Sequence, residues 1–174
     1  MTNSSTAEIL DATRKRSVTL ATIWKLIFIG EPSETFVSRE PLNDSDTSVK
    51  FDNQLACQVL KKGITSKALS PVGEFLGLSK SQIASYLELD RGTVTRLAAK
   101  NQLLPTHAAE NVLRFLELDS LAAETFDSHA EAFEWLKRPH PMLEGDSPLN
   151  AARTSYGTQR VKDILLSIKY GGVV

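Results

Sequence analysis

Arg91, Thr93, Thr95, Arg96 and Lys100 lie within one ten-residue stretch. Arginine pairs bidentately with a guanine edge, threonine offers a hydroxyl and a methyl, and both cations can meet phosphate. These residue types suit the reading of nucleic acid, provided one helix presents them together. A second stretch, Lys169-Tyr170-Gly171-Gly172-Val173-Val174, offers different chemistry. Two glycines free the backbone to bend behind an aromatic ring, and two valines can follow a narrow cleft. Tyr170 and the terminal carboxylate could then plug a partner's pocket. The plain alternative is that Tyr170 caps its own core and the tail frays, as termini commonly do.

Bond-making chemistry is not indicated. His107, His129 and His140 lack metal-ligand spacing with Asp, Glu or Cys. Cys57 falls on an expected apolar helix, where an inert core thiol is the reading. Glu131 and Glu134, three residues apart, read as a solvated face. Neither a phosphate-cradling glycine loop nor a Gly-x-Ser-x-Gly elbow occurs. The expectation is a protein that is not an enzyme, with no catalytic residue, no metal site and no cofactor.

The chain as a whole narrows the partners. Twenty basic residues against 21 acidic ones leave a net charge of -1, which argues against a partner chosen by bulk charge. A hydrophobic content of 41% supports a real core. A single cysteine rules out a disulfide framework and a cysteine zinc site, and points to a reducing, cytoplasmic location. The N-terminus opens polar, without an apolar signal core. The apolar residues 18–29 make about half the ~20 residues a membrane span needs, and Lys25 interrupts them. Residues 1–50 carry six basic and seven acidic groups (-1), residues 51–118 eight and six (+2), and residues 119–174 six and eight (-2). The expected organisation follows these shifts: a partly linker segment of unclear role over 1–50, then domains over 51–118 and 119–174.

Past residue 50 the signals are helical, so the expected fold class is mostly α. Asp52 is a candidate N-cap for a helix with Leu55, Ala56, Val59 and Leu60 on its apolar face, stopped at Gly63. Ser70 before Pro71 suggests the start of a short helix ending near Gly77. Ser79 with Gln82, and Ser128 with Glu131, have capping-box spacing. Thr106 after Pro105 opens a helix bearing Val112, Leu113, Leu116 and Leu121. Val161, Ile164, Leu165 and Ile168 recur at the spacing of one buried face, on a last helix over 158–169. Upstream, residues 7–16 suggest a helix, 18–29 fit a strand or a buried helix, and 31–49 read as a loop. The apolar residues around Trp24 suit either packing on their own domain or self-association.

Residues 79–101 have the pattern of a helix-turn-helix. Gln82, Ile83 and small Ala84 occupy the first helix, Leu87 and Leu89 surround the turn, and Asp90 caps the second helix. Val94 and Leu97 are spaced to face the core. The turn position often held by glycine is Glu88, at a cost of roughly 1 kcal/mol in a left-handed backbone. Two amphipathic helices with no nucleic-acid role would share most of this pattern.

Near the end come Phe133, Trp135-Leu136, Pro139, Pro141, Leu143, Gly145, Pro148-Leu149, Gly157, Val161, Leu165, Ile168 and Tyr170-Gly171. Locally, a helix ends near Lys137, Pro139 and Pro141 hold His140 extended, Gly145 permits a positive φ, and Ser147-Pro148 starts a short helix. Trp135 and Leu136 read as core anchors. This order and spacing resembles the toxin-binding domain of the bacterial Xre/MbcA/ParS antitoxin family. Gly63, Ala68-Leu69, Leu76-Gly77-Leu78-Ser79 and the helix-turn-helix extend the resemblance upstream. It covers about residues 55–174 and not 1–50.

The resemblance implies a helix-turn-helix domain over 51–118 followed by a small helical toxin-binding domain over 119–174. It implies the antitoxin of a type II toxin–antitoxin pair, whose partner is a RES-type, NAD-consuming toxin related to ADP-ribosyltransferases. The antitoxin binds and occludes that toxin and represses its own operon by binding operator DNA of its promoter. Carried over by position, Arg91, Thr93, Thr95, Arg96 and Lys100 would face DNA. Lys169, Tyr170, Gly171, Gly172, Val173 and Val174 would face the toxin. A homodimer within a larger toxin–antitoxin complex is expected, because paired half-sites need paired helices. The alternative is a helix-turn-helix transcriptional regulator whose C-terminal domain only oligomerises.

Overall fold

The computed structural model describes residues 22–23, 25–27, 51 and 53–172. Trp24, the Asp52 cap, Val173, Val174 and the readings placed on residues 7–16 and 31–49 lie outside the described residues. Those described are mostly helical and form no strand, one isolated bridge joining Thr65 to Leu103. The mostly α expectation holds. Thr22, Ile23, Lys25, Leu26 and Ile27 are helical, and Ile23 and Ile27 are buried at the i, i+4 spacing of one helix face. At these described residues the conformation is helix rather than strand, with Ile23 and Ile27 inward and Thr22 and Lys25 exposed.

Two compact units divide the chain, one ending at Ala109 and the other starting at Glu110. The first contains α1 (Asn53–Lys62), α2 (Leu69–Leu76), α3 (Lys80–Tyr86), α4 (Arg91–Lys100) and the start of α5 (Thr106–Phe126). In α1, Leu55 and Val59 are buried one turn apart. Cys57 lies two residues from each, on the other side of the helix, and is exposed. The expected core thiol is therefore a surface thiol. Gly63, at φ 81°, ends the helix as expected.

The start expected at Ser70-Pro71 is corrected. A 3-10 turn over Ser66–Ala68 leads directly into α2, whose N-cap is Ala68. Pro71 then sits in the first turn, where an N–H would have no partner within the helix. Ser66 is buried; its hydroxyl donates to the Leu97 carbonyl at 2.8 Å, and its N–H donates to Gln102 O at 2.9 Å. Leu104 N–H donates to Ile64 O at 2.8 Å. These bonds pin the C-terminal end of α4 to the turn before α2.

The second unit holds the rest of α5, α6 (His129–Lys137), α7 (Pro148–Ala151) and α8 (Ser155–Tyr170). Val112, Leu113 and Leu116 are buried as expected, together with Phe115, Leu118 and Ala122. Leu121 is half-buried. On α8, Thr158, Val161, Ile164 and Leu165 are buried, whereas Ile168 in the last turn is exposed. The helix starts three residues earlier than expected, because Thr154 caps it by accepting from Gly157 N–H at 3.0 Å. Lys162 meets Glu117 at 2.6 Å and Lys169 meets Glu124 at 3.1 Å. The step is seven residues on both helices and in the same direction. Helix α8 therefore runs parallel to the second half of α5, and α6 and α7 carry the chain back to its starting level.

Candidate functional site

The α3–α4 pair is built by local capping. Ser79 accepts from Gln82 N–H at 3.3 Å, and Ser79 N–H donates to the Gln82 side chain at 2.9 Å, which completes the expected capping box. Ile83, small Ala84 and Leu87 are buried where the two helices pack. Residues 87–90 make the turn. Glu88 takes the left-handed conformation at φ 55°, and Leu89 N–H donates to Ala84 O at 2.9 Å. Asp90 caps α4, accepting from Thr93 N–H at 2.8 Å and from the Thr93 hydroxyl. The hydroxyl bond, with the backbone bond behind it, holds the Asp90 carboxyl below its ordinary value of 3.8.

Leu97 is buried and Val94 half-buried, so α4 turns this side inward. Arg91, Thr95, Arg96 and Lys100 are exposed. At 100° per residue Arg91, Gly92, Thr95, Arg96 and Ala99 share one face, on which two residues are small. Thr95 donates its hydroxyl to Arg91 O at 2.9 Å, so its methyl and lone pairs remain for a partner. Thr93 is half-buried with its hydroxyl on Asp90. It holds the start of α4 rather than standing on that face.

The second unit is punctuated as finely. Helix α6 is capped by Ser128, which accepts from Glu131 N–H at 3.3 Å, and ends at Lys137. His140 is extended (φ -119°, ψ 131°), and its Nδ1 accepts from Met142 N–H at 3.3 Å. Leu136 is buried; Trp135 is half-buried against the rings of Phe126 and His140. Gly145 has φ 84°, and Ser147 caps α7 with Pro148 in its first turn. Gly157 matters for space: a Cβ there would lie 1.9 Å from the Ala151 carbonyl oxygen.

The toxin-facing candidates are arranged differently from the expected hinge. Gly171 is left-handed at φ 69°, and Gly172 N–H returns to Ser167 O at 2.7 Å. The two glycines close α8 in a 6→1 helix stop, so their conformational freedom is used to end the helix. Tyr170 is exposed at that end and does not cap a core. Lys169 is tied to Glu124; that hydrogen bond raises its ammonium above the ordinary 10.5. The exposed side chains of Met142, Tyr156 and Leu166 were not singled out in the sequence. Tyr156 precedes the expected start of α8, so no helix face could be assigned to it. Among the described residues no cluster of three or more His, Cys, Asp or Glu could hold a metal, and no helix is long and apolar enough to cross a membrane.

Residues 121–171 match the family described as the antitoxin Xre/MbcA/ParS C-terminal toxin-binding domain. The chain is also 30% identical, over 122 residues, to the Prs ADP-ribosylating antitoxin of Sphingobium sp. (strain YBL2). That alignment covers 65% of this chain and 77% of the relative. With most of the relative's length spanned and its own second unit matched, the chain belongs to the Xre/MbcA/ParS-type antitoxins.

Proposed function

We propose that this antitoxin inhibits a RES-type, NAD-consuming toxin by occlusion and represses its own operon through α4. The toxin half rests chiefly on one observation: the matched residues 121–171 lie within the second unit, whose last helix is clamped by two ion pairs. Lys169, Tyr170, Gly171, Gly172, Val173 and Val174 are the segment proposed to close the toxin's NAD site. The relative's name couples an antitoxin with ADP-ribosylation, a transfer that cleaves NAD, which supports that class of target. Inhibition by occlusion is stoichiometric and needs no catalytic group on this chain.

The DNA half is supported by the exposed face of α4. Arg91, Thr95 and Arg96 are proposed to meet base edges and phosphates, with Lys100 on phosphate and Thr93 positioning the helix. Two copies reading paired half-sites would supply the affinity that one small basic face lacks.

The test is co-expression with the protein encoded by the adjacent gene. That neighbour should arrest growth and deplete NAD, and the full chain should restore both, whereas a chain truncated after Lys169 should not. A harmless neighbour, or one unaffected by this chain, would overturn the reading.

A further inference from the structure

The buried face of α8 fixes what its other face presents. Tyr156, Asp163 and Tyr170 are seven residues apart, and Gln159 and Leu166 fall between them on the same side. This stripe lies opposite Val161, Ile164 and Leu165, which are buried. Tyr156 is 89% exposed, Tyr170 77% and Leu166 39%. Single exposed apolar residues are ordinary, but three on one helix stripe form a surface that the fold itself leaves uncovered. Its middle is polar and internally paired, Gln159 donating to Asp163 at 2.8 Å.

We propose that this α8 stripe, anchored by Tyr156 and Leu166 and ending at Tyr170, is the docking face for the toxin. The proposal rests on the toxin-binding reading and adds the surface on which binding occurs. Three observations favour the toxin as occupant. The stripe falls wholly inside residues 121–171, the match to a toxin-binding domain. Tyrosine carries a large contact area at low entropic cost and is enriched among interface anchors. The helix is also rigid before binding: the Glu117–Lys162 and Glu124–Lys169 pairs hold it from the side, and the glycine stop closes its end. Arg160 extends the face by donating to the Met142 carbonyl at 2.6 Å, which ties the turn bearing the exposed Met142 side chain to α8.

The geometry describes the partner surface. Fourteen residues of helix place Tyr156 and Tyr170 about 21 Å apart. A matching toxin groove has apolar pockets at that separation and a donor or cation between them to meet Asp163.

The experiment is calorimetric titration of the purified full-length chain against the purified product of the adjacent gene. Tyr156→Ala combined with Leu166→Ala should weaken binding about 100-fold, as truncation of two interface anchors does. Both side chains face solvent, so circular dichroism should report an unchanged fold; Tyr156→Ala alone serves as a milder second variant. Leu103→Ala, an exposed apolar residue of the first unit, should leave binding unchanged. If the unaltered chain binds and the double variant binds within threefold of it, the docking face is refuted while the antitoxin reading stands. If the unaltered chain does not bind, both fall together.

Discussion

Thr93 and Gly157 have their roles set by close local contacts. Thr93 spends its hydroxyl on Asp90, so Thr93→Val should release the carboxylate and return its titration toward 3.8, as followed by NMR. Because the Asp90 value is lowered by folding, its contribution to α4 is complete above pH 3.8 and is lost as pH falls through the lowered value. Lys169 has the opposite sign: its bond to Glu124 contributes fully below pH 10.5 and is lost as pH rises through the raised value. At Gly157 the constraint is volume. Gly157→Ala would force a methyl against the Ala151 carbonyl and should cost at least about 1–3 kcal/mol, seen as a lowered Tm.

At the scale of elements, Leu165→Ala should cost about 2–5 kcal/mol in denaturant unfolding, since Leu165 is fully buried on the face that anchors α8. Arg96→Ala should weaken promoter binding and reduce the slope of log affinity on log salt by about one, with toxin neutralisation unchanged. A flat salt response of the unaltered chain would contradict a phosphate-contacting α4. What the sequence made legible here is local. The Ser79–Gln82 box, the Asp90 and Ser147 caps and the stop at Gly63 each depend on residues within a few positions. Contacts remote in sequence were not legible. The bond from Ser66 to Leu97 spans 31 residues and each α5–α8 ion pair spans 45. The exposure of Cys57 followed from a choice of helix face that one apolar stretch left open. The Tyr156 end of the proposed docking stripe carried no sequence signal, because α8 starts three residues before Thr158, through the Thr154 cap. Helix α5 also runs unbroken through residue 118, where composition changes, so no loop marks that point.

In the whole molecule, the two proposed activities lie on different helices. Damage to α4 should release repression and spare protection, and damage to α8 should do the reverse; loss of both from one surface substitution would indicate misfolding instead. Protection is proposed to work by stoichiometric occlusion. Its most direct measurement is NAD consumption by the purified product of the adjacent gene, titrated with this chain. Consumption should fall linearly with added chain and reach zero at a fixed molar ratio. Undiminished consumption at excess chain, or full inhibition by trace amounts, would rule out stoichiometric occlusion.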